Sequence, residues 1–503
     1  MKNRKILAGY LVASFFAFKL SAADAPEIRT PPASHAPRIN GPTVFGVRPA
    51  HPFLYHIPAT GDRPMEFSAE NLPSGLTLDP KTGNIAGAIS QNGEYEVTLH
   101  AGNSQGVSGQ KFKIVVGENI ALTPPMGWNS WNHYKGQVSQ EIVLQNAKAM
   151  SDSGLINHGW TYLNIDDTWQ GARGGAFNAI QGNKKFPDFK KLCDDVHSLG
   201  LKIGIYSTPW TTSYANYIGG SAENPEGSWI KPTGKRVFNK KIMPCAIGKY
   251  SFAKNDAQQW GAWGIDYLKY DWNPIEYPET KEMADALRDS GRDIIFSLSN
   301  GMNITNGPTV GKIANSWRTT GDISANWASM SSKGFCQDLW RPFSGPGHWN
   351  DPDMLEIGTK ESNQPGLTPD EEYTHMTLWC LLSAPLLLGN DLTEMTPFTL
   401  NLLENDEVLA VNQDALGDQA VTICRDGDTR VYARKLDDGS YAVGLFNTGG
   451  KAVAPVHVKW SDLKIRGPHV VRDLWRQKDL GTFDSQFSLP VAPHGAELLK
   501  VLH

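Results

Sequence analysis

Residues 264–272 read Gly-Ile-Asp-Tyr-Leu-Lys-Tyr-Asp-Trp, an apolar strand pattern that ends with Lys269 and then Asp271. A strand buried in a parallel sheet is normally a short and nearly continuous apolar run. Burying two ionisable side chains at its end costs desolvation free energy, and a strand can form without that cost. Lys269 and Asp271 therefore indicate a chemical role.

Seven further apolar segments alternate with helical stretches between about Ala121 and Gly417. Alternation of strand and helix is typical of a parallel sheet, and eight such units in about 300 residues favour a closed (β/α)8 barrel over an open sheet. We therefore predict an α/β fold of the TIM barrel type over residues 119–417. The seven predicted strands are 126–128, 162–165, 201–206, 293–298, the run before Trp317, 347–350 and 384–389.

The segments on either side of the predicted barrel have a different pattern. Short alternating strands separated by turn residues, such as 79–83, predict an Ig-like β-sandwich over residues 41–118. Alternation returns after the barrel, with a hairpin turn at 437–439, and predicts an antiparallel β-sandwich over residues 418–503. A proline-rich linker is expected over residues 24–40.

The first 23 residues have the order of a secretory signal: basic residues, an apolar run from Ile6 to Phe18, and small residues at 21–23. We expect cleavage near Ala23 and a secreted or periplasmic protein, the alternative being an uncleaved anchor. The five cysteines all follow this segment, so a disulfide bond is expected, and their odd number leaves at least one thiol unpaired or bonded between molecules.

Composition excludes several partners. The net charge of -5 is mild for 503 residues, and no basic run follows the first few residues, so neither nucleic acid nor a membrane is an expected partner once the signal is removed. The spacing of the cysteines and the absence of a phosphate-binding motif predict no metal and no cofactor. The 16 tryptophans suit stacking on sugar rings, although a large barrel core also uses tryptophan.

In a barrel of this type the catalytic face is formed by the carboxyl ends of the strands. The predicted strand ends bring a set of polar residues to one mouth: Asp166 and Asp167, Tyr206, Lys269 and Asp271, Ser299 and Asn300, Arg318 and Asp322, and Asp351 and Asp353. Several carboxylates together with tryptophan point to glycoside hydrolysis, in which one carboxyl group attacks or activates water and a second donates a proton.

Asp271 suits the nucleophile because the ammonium group of Lys269 favours its ionised form. The alternative is a buried ion pair that only fixes the strand register. Asp322 lies on a loop beyond a strand, from which it can reach across the mouth as the general acid/base. The alternative for Asp322 is an ordinary helix cap near Ile323.

Asp166 and Asp167 are adjacent, so their side chains point to different sides if the strand continues through them. One can bind sugar hydroxyls while the other supports the wall of the pocket; the alternative is a solvated acidic pair in a loop. Trp131 is a candidate platform for the apolar face of a sugar ring, and Tyr206 is a candidate substrate contact at its strand end.

A series of longer motifs runs through the predicted barrel: TPPMGWNSW at 123–131, YLNIDDTW at 162–169, LKIGIY at 201–206, WGIDYLKYD at 263–271, Trp317-Arg318 with Asp322, GHWNDPDM at 347–354, APL at 384–386, GNDL at 389–392 and VNQD at 411–414. In these motifs and in their order the chain resembles the melibiase-type α-galactosidases of glycoside hydrolase family 27.

The resemblance implies a retaining hydrolase on a barrel followed by a β-sandwich, with no cofactor. It implies Asp271 as nucleophile and Asp322 as acid/base. It further implies binding residues around the sugar: Lys269 and Arg318 near the nucleophile, Asp166 and Asp167 on the side of the 4- and 6-hydroxyl groups, and Asp353 nearby.

Ser299 departs from the family pattern, because typical α-galactosidases have an acidic residue there that contacts the sugar 2-hydroxyl. A small hydroxyl residue resembles α-N-acetylgalactosaminidases instead, but Met302 is larger than the residue that accompanies it in that group. The expected substrate is a carbohydrate with a terminal α-galactosyl group. The alternatives are α-N-acetylgalactosaminidase or β-L-arabinopyranosidase activity, and, from another class, a non-catalytic carbohydrate-binding protein.

Overall fold

The computed structural model describes residues 26–231, 246–359 and 366–502. Within these ranges the chain forms a small N-terminal β-domain, a ring of eight parallel strands and a C-terminal antiparallel β-sandwich. The predicted fold class is therefore confirmed. The predicted signal over residues 1–23 lies outside the described ranges.

The N-terminal domain is built from two main sheets around one apolar core that includes Phe53, Ile85 and Val97. One sheet has the order β2-β9-β8-β5, the other has the order β3-β7-β6, and β1 pairs with β4. Its strands are β1 (Arg38–Ile39), β2 (Val44–Val47), β3 (Phe53–His56), β4 (Ala59–Thr60), β5 (Glu66–Glu70), β6 (Leu76–Leu78), β7 (Asn84–Gly87), β8 (Gly93–Asn103) and β9 (Gly106–Val116).

In its described residues the barrel segment contains eight ring strands and four strands outside the ring. They are β10 (Met126–Asn129), β11 (Tyr162–Asn164), β12 (Gln170–Gly174), β13 (Ala179–Gly182), β14 (Lys202–Ser207), β15 (Ser221–Ala222), β16 (Tyr250–Ser251), β17 (Tyr267–Asp271), β18 (Ile295–Ser299), β19 (Ser316–Arg318), β20 (Trp349–Asp351) and β21 (Leu386–Leu388).

The parallel sheet closes on itself. Its order is β20-β19-β18-β17-β14-β11-β10-β21, and Leu355, just beyond β20, bridges to Leu388 of β21 in parallel. The tight ring requires glycine at Gly204 of β14, where a Cβ would lie 2.1 Å from Oδ1 of Asn164 on the neighbouring strand. Closure brings all eight carboxyl ends to a single mouth.

Helices connect the ring strands and cover the outside of the barrel. They are α1 (Trp131–Tyr134), α2 (Gln140–Asp152), α3 (Phe189–Ser198), α4 (Ala253–Trp263), α5 (Tyr277–Arg288), α6 (Gly307–Val310), α7 (Trp327–Gly334), α8 (Pro369–Leu381), α9 (Pro397–Leu403) and α10 (Asp406–Asn412).

The C-terminal sandwich packs on α8, where the indole N–H of Trp475 donates to Thr377 at 2.9 Å. One sheet has the order β22-β23-β24-β29-β26-β27, and the other pairs β25 with β28. The strands are β22 (Val421–Asp426), β23 (Thr429–Lys435), β24 (Tyr441–Asn447), β25 (Ala454–Lys459), β26 (His469–Asp473), β27 (Lys478–Phe483), β28 (Gln486–Val491) and β29 (Ala496–Val501).

The N-terminal domain docks against the amino-terminal end of the barrel, opposite the mouth. Asp293, just before β18, accepts hydrogen bonds from the backbone N–H and the guanidinium group of Arg48 at 2.8 and 3.0 Å and contacts His51 at 2.9 Å. Burial raises the pKa of Asp293, but His51 and Arg48 outweigh that effect and hold the pKa below its usual value. This contact favours a packing role for the domain.

The segment expected to be a linker is also docked. The guanidinium group of Arg29 pairs with Asp370 of α8 at 3.1 Å and with Glu497 of β29 at 3.5 Å, and it stacks over the ring of Tyr373. Its side chain is 6% exposed. Residues near the start of the described chain therefore tie the barrel to the C-terminal sandwich.

Two expectations concern the cysteines and the membrane. Cys193, Cys336, Cys380 and Cys424 are each free in the described structure, so the expected disulfide bond is not found there, and Cys245 lies outside the described residues. Among the helices that the structure describes, none is long and apolar enough to cross a membrane.

Candidate active site

The polar residues predicted to converge do follow the carboxyl ends of the ring strands. Register brings several of them side by side, with Tyr206 opposite Lys269 and Asp271 opposite Ser299. Their positions by strand are Trp131 after β10, Asp166 and Asp167 after β11, Tyr206 in β14, Lys269 and Asp271 in β17, Ser299 at the end of β18, Arg318 at the end of β19, Asp322 in the loop after β19, and Asp353 after β20.

Asp271 is the last residue of β17, and both of its carboxylate oxygens accept hydrogen bonds. The phenol of Tyr206 donates to Oδ2 at 3.0 Å. The side-chain amide of Asn300 donates to Oδ1. Two donors on two oxygens hold the carboxylate plane in one orientation at the mouth, as a nucleophile requires.

Lys269 pairs with a partner that its sequence position did not indicate. Its ammonium group donates to Oδ2 of Asp166 on the next-but-one strand at 2.7 Å. Burial lowers the pKa of Lys269, but the charges of Asp166 and Asp271 outweigh it and keep the lysine protonated. Lys269 therefore acts on Asp271 through its charge and contacts Asp166 directly.

The pKa of Asp271 is raised to about 7. Burial is the largest cause; the charge of Lys269 lowers the pKa as the sequence predicts, the charge of Asp166 raises it, the bond from Tyr206 lowers it, and the charge of Asp322 raises it. The charge of Lys269 therefore favours the ionised form, as predicted, but burial at the mouth outweighs it and raises the pKa of Asp271 above its ordinary value.

With Asp271 as the predicted nucleophile, we expect kcat/KM for glycoside hydrolysis to fall as the pH drops below about 7, since a carboxylate attacks only in its ionised form. The sign follows from a pKa that is raised in the folded chain, so the inactive neutral form persists to a higher pH. Initial rates at low substrate, measured between about pH 4 and pH 9, test this. An acidic limb below about pH 5 would contradict it.

Asp166 and Asp167 have different surroundings, as their adjacency predicts. Asp166 accepts from Lys269 and, at 2.9 Å, from the side-chain amide of Asn129. Asp167 is buried and accepts from the backbone N–H of Ala215 at 2.9 Å and from the amide of Gln170 at 3.0 Å. Burial raises the pKa of Asp167. The solvated alternative for this pair is wrong.

Arg318 joins two further carboxylates of the mouth, those of Asp353 and Asp322. Its guanidinium group pairs with Asp353 at 2.7 Å and with Asp322 at 3.2 Å. Asp353 is 7% exposed at its side chain, whereas Asp322 is 88% exposed. Asp353 also accepts from the backbone N–H of Ile323 at 2.7 Å, which holds the loop that carries Asp322. Asp322 is thus free to contact a bound ligand from the solvent side.

Ser299 and Trp131 complete the predicted set. Ser299 is buried and lies beside Asp271 in register. Trp131 is half-buried at the start of α1, where its backbone N–H donates to Asn129 at 2.9 Å. Both residues are at the mouth that the sequence predicts for them.

Asn300, Tyr214 and Asn129 also belong to this cluster but are outside the predicted binding set. Asn300 contacts Asp271 and the hydroxyl of Tyr214, and Asn129 contacts Asp166. A polar residue at the end of a strand or directly after it is a sequence signal that identifies both Asn129 and Asn300. Tyr214 lies in an irregular loop, where no periodicity marks it.

The acidic cluster does not resemble a metal centre. Within the described ranges no group of three or more histidine, cysteine, aspartate or glutamate side chains is arranged to hold a metal ion. The cationic partners of the carboxylates are the side chains of Lys269 and Arg318.

Sequence models of three domains match the chain. The model described as "Alpha galactosidase A" matches residues 123–226 and 238–414. The chain belongs to this family. The family's C-terminal β-sandwich domain matches residues 426–501, and a "Putative Ig domain" matches residues 36–117. The resemblance to the melibiase-type enzymes is therefore confirmed.

Sequence and structure similarity to individual proteins supports the same family assignment. Alpha-galactosidase 2 of Arabidopsis thaliana is 37% identical over 412 residues, which cover 80% of this chain and 95% of that protein. A "putative alpha-galactosidase" from Bacteroides fragilis has a TM-score of 0.84 and 32% identity, covering 93% of this chain and 98% of its own. A β-L-arabinopyranosidase from Geobacillus stearothermophilus has a TM-score of 0.64 and 29% identity, covering 76% and 97%.

Proposed function

We propose that this member of the alpha-galactosidase A family is a retaining exo-glycoside hydrolase that releases terminal α-linked galactose. The observation that carries the proposal is the arrangement around Asp271, a carboxylate with a donor on each oxygen, at the mouth that also holds Asp322. Curated relatives of this chain are named alpha-galactosidases.

The reaction takes two displacements. Asp271 attacks the anomeric carbon while Asp322 gives its proton to the departing glycosidic oxygen, so a β-galactosyl-enzyme forms and the aglycone leaves as an alcohol. Asp322, now ionised, removes a proton from water, which attacks the same carbon and releases Asp271. Two inversions leave α-galactose as the first product.

The exposure of Asp322 supports its role. Its side chain is held by one contact to Arg318 and is otherwise open to solvent, so it can reach both an aglycone oxygen and a water molecule. Asp271 has the opposite setting, since its oxygens are held by protein donors. The alternative that Asp322 caps a helix has no support, because no backbone N–H in the described structure donates to the Asp322 carboxylate.

The remaining polar residues are proposed to bind the sugar. Lys269 and Arg318 supply positive donors near the nucleophile, and Asp166 and Asp353 supply acceptors that these cations orient. The full set of proposed substrate contacts is Trp131, Asp166, Asp167, Tyr206, Lys269, Ser299, Arg318 and Asp353.

The three candidate sugars differ in the group on carbon 2 and in the presence of the hydroxymethyl group. Ser299 is small and buried beside Asp271, and one structural relative is named a β-L-arabinopyranosidase. β-L-Arabinopyranose is equivalent to α-galactose without its hydroxymethyl group. The Asp166-Asp167 pair is expected on the side of the 4- and 6-hydroxyl groups, and its presence in this chain therefore favours galactose. An α-N-acetylgalactosaminide needs room for an acetamido group, and buried Met302 near Ser299 disfavours it.

A panel of three aryl glycosides under identical conditions tests the proposal. We expect the highest kcat/KM with the α-galactoside, a lower value with the β-L-arabinopyranoside and the lowest with the α-N-acetylgalactosaminide. Preference for either of the other sugars would overturn the substrate assignment and leave the mechanism in place. Binding of galactosides without turnover of any of the three would favour the non-catalytic alternative.

We further propose export of the protein to the periplasm or the medium, because the first 23 residues have the order of a cleaved signal. Its partner is then a carbohydrate outside the cytoplasm.

A further inference from the structure

Asn300 is the first residue after β18 and has a left-handed backbone, with φ of +78°. Residues other than glycine seldom adopt this conformation, and asparagine is one of the few that tolerate it. If position 300 served only the turn, a glycine would suffice there, as at the next residue, Gly301. An asparagine here indicates that the side chain, as well as the turn, is needed.

The side chain of Asn300 makes two contacts through one nitrogen. Its Nδ2 donates to Oδ1 of Asp271 and, at 3.2 Å, to the hydroxyl of Tyr214. These contacts use both hydrogens of the amide, so its orientation is fixed. The backbone is held as well, since the N–H of Met302 donates to the carbonyl oxygen of Arg318 at 2.8 Å.

Tyr214 lies in a loop that contacts the acidic pair on the other side of the mouth. The next residue, Ala215, donates its backbone N–H to Asp167 at 2.9 Å. The ring of Tyr214 packs edge-on against Trp210, with 5.0 Å between ring centroids. These two contacts hold the loop close to the Tyr214 hydroxyl, which accepts the hydrogen bond from Asn300.

We propose that Asn300, held by Tyr214, is a positioning residue that orients Asp271 and stabilises its ionised form. The inference rests on the proposed function, in which Asp271 is the nucleophile. Tyr206 donates to Oδ2 and Asn300 donates to Oδ1, so whichever oxygen bonds to the sugar, the other keeps a donor. When the second displacement returns negative charge to Asp271, both donors are already in place.

A neutral donor is required at this position because the cation nearest in sequence is engaged elsewhere. Lys269 donates to Asp166. Without Asn300, no described residue would donate to Oδ1 of Asp271 and oppose the rise in pKa that burial causes.

Asn300→Gly tests the proposal, since glycine accepts the left-handed backbone and removes only the side chain. We expect kcat to fall by about 10- to 100-fold with KM changed less than about threefold, and the acidic limb of kcat/KM to move to higher pH. Asn300→Asp keeps the shape but brings a second carboxylate to Asp271, and it should move the limb further.

Asn303→Gly is the matched control, because it makes the same chemical change at an exposed asparagine three residues away. In the part of the chain that the structure describes, the side chain of Asn303 bonds only within its own turn. This variant should leave kcat and the pH profile unchanged. Tyr214→Phe should shift both quantities in the direction of Asn300→Gly by a smaller amount.

The assay uses whichever of the three aryl glycosides the wild-type protein hydrolyses fastest, so an error in the sugar assignment does not affect it. If wild type is active and Asn300→Gly matches it in kcat and in its acidic limb, Asn300 serves only the turn and the inference is overturned. If wild type hydrolyses none of the three, the proposed function fails, and this inference fails with it.

Discussion

Replacing Asp271 with asparagine is expected to lower kcat for aryl α-galactoside hydrolysis by about 10⁴-fold or more. Asparagine keeps the size of the side chain and both contacts with Tyr206 and Asn300 remain geometrically possible. It cannot form the galactosyl ester, however. The measurement is steady-state turnover, with the release of the aryl alcohol followed over several hours to detect a small residual rate.

The variant should stay folded, and its stability relative to wild type has a predictable pH dependence. The pKa of Asp271 is about 7 in the folded chain, against an ordinary value of 3.8, so the neutral form is favoured by folding. The stability this group contributes is complete below the ordinary pKa and is lost as the pH rises through about 7. Asp271→Asn avoids that loss and should unfold at the same temperature as wild type or higher at pH 8.

Asp285→Asn is the control for this prediction, because Asp285 is half-exposed on α5 and, among the described residues, its carboxylate pairs with Lys281 alone. It should retain wild-type turnover. Normal hydrolysis by a folded Asp271→Asn protein would exclude Asp271 as the nucleophile.

Replacing Asp322 with alanine is expected to have an effect that depends on the leaving group. With a poor leaving group, kcat/KM should fall by about 10²- to 10⁴-fold, since protonation of the departing oxygen is lost. With a nitrophenyl group, the first displacement should remain fast and the second should become rate-limiting. A burst of nitrophenol followed by a slow steady rate is the expected trace.

Azide provides the decisive readout for Asp322, because it attacks the galactosyl-enzyme without needing a general base. It should raise the steady rate of Asp322→Ala and yield α-galactosyl azide. Asp484→Ala, another exposed loop aspartate far along the chain, should behave as wild type with or without azide. Equal losses for both leaving groups and no azide product would show that Asp322 is not the acid/base.

The ring strands were predictable from the sequence because each is a short apolar run that ends in polar residues. The predicted strand 201–206 is found as Lys202–Ser207, and 384–389 is found as Leu386–Leu388. The predicted hairpin turn at 437–439 does join β23 to β24. These features depend on the periodicity of neighbouring residues, which can be determined from a single sequence.

Contacts between strands were less predictable. Lys269 and Asp271 lie on the same face of β17, which alternation predicts, but the bond of Lys269 to Asp166 depends on how the strands are ordered around the ring. The raised pKa of Asp271 likewise depends on the depth of its burial. Neither quantity follows from the spacing of residues in one strand.

Irregular segments were the least predictable. Prolines indicate that the segment before the N-terminal domain is extended, but they do not reveal that Arg29 pairs with Asp370 and Glu497. Tyr214 reaches Asn300 from a loop whose path depends on tertiary contacts. The contacts of such side chains follow only from the complete tertiary structure.

The anomeric configuration of the first sugar released tests the central claim most directly. Proton NMR during the first minutes of aryl α-galactoside hydrolysis distinguishes the two anomers before mutarotation mixes them. A double displacement through Asp271 and Asp322 predicts that α-galactose appears first and β-galactose grows in later. Initial release of β-galactose would contradict the account, because it requires a single displacement by water.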